Sequence, residues 1–188
     1  MHRSRLRLFT LGAPLCAVLL VLATLEAFAA PVAFDFYARG PYHAGVPKPA
    51  EVLGYEPGTF HTTFGNMERV LDAIQRARPG RVQREPFGRT VESRERSLFI
   101  VSSPENLAKL DAIRDGNAKL ADPRGVSSGE IERLARELPV TVWLNYSIHG
   151  DESASFEAMM QVAYQLAAGE DSTTRAILDH CVVLLNLA

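Results

Sequence analysis

Val140-Thr-Val-Trp-Leu-Asn-Tyr146 runs into Ser147-Ile-His-Gly-Asp-Glu152, and some thirty residues later the chain reads Cys181-Val-Val-Leu-Leu-Asn-Leu187. The first run is β-branched and aromatic, the composition of a strand. Phe156, Met159, Met160, Ala163 and Ala167 then recur at helical spacing, and Gly169 closes that helix. A short helix over Ser172 to Asp179 leads into the last run, which is almost wholly apolar. A strand of that kind is buried on both faces, as in the middle of a sheet covered by helices. Strand, helix, helix, strand predicts an α/β fold with a mixed, largely parallel sheet flanked by helices.

Upstream the same alternation continues. Met67, Val70, Leu71 and Ile74 give a helical face over Phe64–Arg78, which Pro79-Gly80 ends. Arg81–Phe87 and Ser97–Ser102 flank a turn-like Gly88-Arg-Thr-Val-Glu-Ser-Arg94 and predict a strand–turn–strand unit. Ser103-Pro104-Glu105 supplies a capping hydroxyl, a proline at the first helical position and an early carboxylate. One helix is expected from there, with Leu107, Leu110 and Ile113 on its apolar face, and a shorter one over Ser128–Glu137. The chain stops at Ala188, at the end of its most hydrophobic strand. A sheet ending there would leave that strand near an edge, so the expectation is a domain incomplete at its carboxyl end.

Residues 30–58 are rich in Pro, Gly and aromatics without a period, and predict an extended lead-in to a domain over 59–188. Residues 1–29 read as a signal peptide. Arg3, Arg5 and Arg7 precede an apolar run from Leu8 to Leu25, and Ala27-Phe-Ala29 has the small-residue form of a cleavage site. A retained anchor is the other reading of this run, which Gly12 and Pro14 interrupt. Cleavage after Ala29 takes 29 of the 188 residues and leaves 159, enough for one modest core. The removed piece carries three Arg and one Glu, so the formal charge passes from −2 to −4. That balance supports neither nucleic-acid binding nor stable membrane association after cleavage, and the location expected is periplasmic or secreted. Of the two cysteines only Cys181 remains, so no internal disulfide forms, and its apolar neighbours make it a small core residue.

The candidate chemistry lies at His149 and Glu152. Both fall where a strand gives way to a helix, and ligands of open α/β sheets gather at the carboxyl ends of strands. An imidazole and a carboxylate three residues apart converge on one ion when Gly150 lets the chain bend between them, and Zn2+ suits that donor pair. The spacing alone also admits a plainer reading, in which Glu152 simply favours the positive end of the following helix. His43 and His61 sit in or beside the lead-in and read as surface residues. Asp171 reads as a helix cap, Arg89 and Arg94 as partners around the turn, and Asn145 and Tyr146 as sheet residues or supports of the site.

Several landmarks in one order resemble the zinc carboxypeptidase family: Gly88-Arg-Thr-Val-Glu-Ser-Arg94, the strand after it, Ser147-Ile-His-Gly-Asp-Glu152, the helix with Glu157-Ala-Met-Met160, and Val182-Val-Leu-Leu-Asn186. They span most of residues 59–188, and Pro47–Pro57 resembles the lead-in of bacterial exported members. The resemblance implies that His149 and Glu152 are two of three zinc ligands. It implies as reaction the hydrolysis of a carboxy-terminal peptide bond, with a peptide or protein C-terminus as substrate. The family's third ligand, base Glu and carboxylate-binding Arg come later in its members and are carried onto no residue here; His180 does not match the third position. Digestive members often place Arg where this chain has Asp151, which makes the rim of the site more acidic. Three functions follow as expectations: a metallocarboxypeptidase, a truncated non-catalytic exported domain, or a zinc-dependent deacylase of the related amidohydrolysing group.

Overall fold

The computed structural model describes residues 34–187. The expected signal peptide at 1–29 lies outside them. From Tyr37 onward the chain is one compact unit. After a 3-10 turn at Phe36–Arg39 it forms α1 (Pro49–Leu53), α2 (Phe64–Ala77), β1 (Val82–Arg89), β2 (Glu95–Val101), α3 (Pro104–Leu107) and α4 (Leu110–Ala121). There follow α5 (Ser128–Glu137), β3 (Val140–Tyr146), α6 (Ser153–Ala168), α7 (Ser172–His180) and β4 (Cys181–Leu187). Short polar side chains start four of the helices. Thr63, Ser103, Ser127 and Asp171 each accept a backbone N–H from the first turn of the helix that follows, which satisfies donors the helix itself leaves open.

The four strands form one mixed sheet in the order β1-β2-β4-β3. β1 with β2 and β2 with β4 run antiparallel, while β3 and β4 run parallel, from Val140 opposite Cys181 to Tyr146 opposite Leu187. The α/β class with a mixed, helix-flanked sheet is therefore present, but among the described strands the sheet is not largely parallel, since only the β3–β4 pairing is parallel. One inference from the sequence needs correcting: β4 does not lie at an edge. It sits between β2 and β3, which pair both of its backbone edges, and on that side of the sheet the less apolar β3 is the outer described strand.

Alternation along the strands separates two cores. Phe99, Val101, Val183 and Leu185 are buried on one face, the face of α2 and α6, whose Met67, Val70, Leu71, Ile74, Met159 and Met160 are also buried. Ile100 and Val182 point the other way and join Leu107 and Ile113 in a second cluster. That cluster explains why the single helix expected after Ser103 is broken at Ala108-Lys109. In one continuous helix, residues six apart point about 120° away from each other, so Leu107 and Ile113 reach one cluster only because the axis changes between them.

Ionic contacts tie the layers together. Arg84 of β1 reaches Asp72 and Glu68 of α2 at 2.9 and 3.0 Å. Beyond the end of α6, Glu170 receives Arg78 at 2.8 Å and Arg81 and Arg175 at 3.1 Å each. The lead-in is not uniformly extended. It contains α1, buries Val46 and Pro49, and lies against α6, with the Tyr42 hydroxyl donating to Gln165 at 2.7 Å and the His43 N–H to the Ala168 carbonyl at 2.7 Å. At the carboxyl end of the parallel pair, Asn186 donates its amide to Asn145 at 2.7 Å. Cys181 is a free thiol, half-buried and not fully in the core.

Candidate metal centre

β3 ends at Tyr146, and after six intervening residues α6 begins at Ser153. Ser147 makes the turn possible. Its φ of 51° lies in the left-handed region, which side chains other than Gly enter at a cost. Its hydroxyl, in a residue only 5% exposed, donates to the carbonyl of His149 at 2.9 Å. The Glu152 N–H closes the turn on the same carbonyl at 3.2 Å.

Glu152 occupies the N-cap of α6 but makes no side-chain cap bond to that helix. Its carboxylate turns back instead. Oε1 lies 2.8 Å from His149 Nδ1, and Oε2 accepts the His149 N–H at 3.4 Å. The hydrogen bond from the His149 ring, helped by the backbone N–H, holds the Glu152 carboxyl below the usual carboxylate range. His149 is 75% and Glu152 43% exposed at the side chain, so both donors are open to solvent. The two candidates from the sequence thus meet in space. The simpler reading of Glu152 as a group serving only its own helix does not describe where the carboxylate goes.

The other polar candidates stand apart from this pair. His43 accepts the N–H of Gly45 at 3.2 Å, and His61 packs edge-on against Phe156 with ring centres 6.1 Å apart. Arg89 donates to the carbonyl of Ser93 at 2.8 Å, and Arg94 pairs with Glu92 at 2.7 Å. Asp171 caps α7 by accepting the Thr174 N–H at 2.9 Å. His180 is exposed at the last position of α7. A groove of about 800 Å³ lies elsewhere, between the sheet and α4, lined by Leu98, Leu110, Leu184 and Asn117 among others and not by His149 or Glu152.

An imidazole and a carboxylate that already share one 2.8 Å contact fit two positions in the coordination shell of zinc, which takes nitrogen and oxygen donors of these kinds. Among the described residues no three His, Cys, Asp or Glu side chains gather closely enough to hold an ion. The arrangement is a hydrogen-bonded imidazole–carboxylate pair just beyond the carboxyl end of β3 in a mixed α/β sheet. The zinc carboxypeptidase profile matches residues 67–187, about two thirds of the chain, and the chain belongs to that family. No curated protein matches it.

Two features of the site were not anticipated from the sequence. Ser147 carries no signal in its residue type for a left-handed backbone, which Gly or Asn would have announced. Glu157 of α6 accepts the N–H groups of Gly58 and Thr62 at 3.2 and 3.0 Å, a contact across some ninety-five residues that no local pattern encodes.

Proposed function

We propose that this chain carries the first two zinc ligands, His149 and Glu152, of an exported metallocarboxypeptidase that removes residues from the C-termini of peptides. The 2.8 Å approach of the His149 ring to the Glu152 carboxylate at the end of β3, in a chain of the zinc carboxypeptidase family, carries this reading. Bound zinc would polarise the scissile carbonyl and acidify a water molecule. The residues on hand do something more limited. Ser147 and the turn present the imidazole, and Glu152 supplies a carboxylate that is ionised at neutral pH. An ion taking both donors replaces the proton they share, so zinc competes with protons here. The signal-like start at 1–29 and its small-residue close support export to a periplasmic or extracellular space. No helix among the described residues is long and apolar enough to cross a membrane.

A two-donor pair does not close a catalytic zinc site, which takes three protein ligands and a water. The chain by itself is therefore expected to hold zinc weakly and to release no C-terminal residues. Titration with Zn2+ followed by calorimetry should give a weak interaction that His149→Ala abolishes. An interaction indifferent to His149→Ala would remove the pair as the site. Stoichiometric zinc that survives dialysis, together with release of C-terminal amino acids from a peptide, would show that the chain completes the site itself. The second reading, a non-catalytic exported domain, rests on the same absence of a third donor among the described residues. It requires that Zn2+ leave His149 untouched.

A further inference from the structure

Ser147 combines three properties that a linking residue does not need together. It is 5% exposed, its backbone sits at φ 51°, and its hydroxyl is committed to the carbonyl of His149 at 2.9 Å. A left-handed conformation is open to Gly at no steric cost, so the fold alone gains nothing from a β-carbon here. The hydroxyl is what serine adds. It closes a small ring over Ile148, whose side chain is 66% exposed, and fixes the peptide plane that carries His149. The same carbonyl accepts the N–H of Glu152 at 3.2 Å, so one oxygen receives a bond from Ser147 and another from the second member of the pair. Strain held at a functional turn persists when the surrounding structure over-determines it, and here two hydrogen bonds on one carbonyl do so.

We propose that Ser147 is a positioning residue for the metal pair: its hydroxyl locks the 147–152 turn so that the His149 imidazole and the Glu152 carboxylate face one point. This rests on the reading of His149 and Glu152 as a zinc pair. Ser147 touches no ion; it acts through the His149 carbonyl, as supporting residues around metal ligands do. The backbone strain and the hydrogen bond act in opposite directions on stability, so substitutions separate them. Ser147→Ala keeps the β-carbon at positive φ and loses the hydroxyl. Ser147→Gly loses both.

The test follows the His149 ring by NMR in the full chain during titration with Zn2+ alone, beside thermal melts of the same samples. The expected result is that both variants need about tenfold more Zn2+ than the parent to half-shift the ring signals, while Ser147→Gly melts no lower than the parent. A protein whose metal response weakens without loss of stability is what positioning predicts and a purely structural role does not. Equal Zn2+ response in parent and variants would overturn the proposal and leave the zinc pair standing. Loss of melting temperature in Ser147→Gly in step with its weaker response would also overturn it, by making the role structural. A parent chain whose His149 ring ignores Zn2+ would remove the zinc pair, and this proposal with it.

Discussion

Glu157 accepts the backbone N–H of Thr62 at 3.0 Å, and its second carboxylate oxygen takes the N–H of Gly58 at 3.2 Å. One side chain in the second turn of α6 thus holds both ends of a loop from the far end of the sequence. Thr62 is fully buried, so its N–H has no water to turn to if the carboxylate is removed. Glu157→Ala should lower stability by about 1–3 kcal/mol, read from urea unfolding. Glu157→Gln, which keeps one acceptor, should lose less. Equal losses would mean that packing and not hydrogen bonding sets the cost.

Glu170 gives the fold a dependence on acid. Burial works to raise its pKa, but Arg81, Arg78 and the hydrogen bond from Arg175 outweigh it and hold the carboxyl below its usual range. A carboxyl depressed on folding contributes stability above its unfolded value, about 4.3, and that contribution is lost as the pH falls through the lower folded value. The difference in unfolding free energy between the parent and Glu170→Gln should be constant at neutral pH and shrink below about pH 4. A difference that stays constant into acid would show that the three arginines do not depend on this charge.

Gly169 is required for space and not for backbone freedom, since its φ is an ordinary −61°. A β-carbon there would lie 2.5 Å from the carbonyl oxygen of Gln165 and 2.9 Å from the hydroxyl of Thr174. The first obstacle is backbone and cannot rotate away. Gly169→Ala should therefore cost about 1–3 kcal/mol as an overpacked site, measured by denaturant midpoint. Gly80→Ala, with open space around it, serves as the control.

Trp143, the single tryptophan, is 49% exposed on β3 and donates its indole N–H to Asn145 at 2.6 Å. Its fluorescence should be open to quenching by iodide in the folded chain. Protection from iodide would mean that the outer face of β3 is covered in solution.

Most of the secondary structure was legible because it rests on local rules. The 3.6-residue recurrence of Met67, Val70, Leu71 and Ile74, the capping residues Ser103 and Asp171, and the β-branched run of β3 each declare an element without help from the rest of the chain. What escaped is non-local. The break at Ala108-Lys109 answers to a cluster shared with Ile100 and Val182, and the inner place of β4 answers to strand order; neither is written in a window of neighbours. At the site, residue type and spacing singled out His149 and Glu152, but not that the carboxylate turns back onto the imidazole. Nor did they show that Ser147 pays for the turn in backbone strain.

The amide of Asn186 bonds to Asn145 directly across the parallel ladder. Valines and leucines make up most of β4, and such residues tolerate sliding, because one aliphatic side chain fills another's place at little cost. A displacement of two residues would keep every face correct and still misalign the strands. It would also part the two asparagines and strand the amide of Asn186, which is 6% exposed. The pair works as a key between the two strands, and because His149 and Glu152 follow the end of β3, that key also sets how far the imidazole and the carboxylate project beyond the sheet.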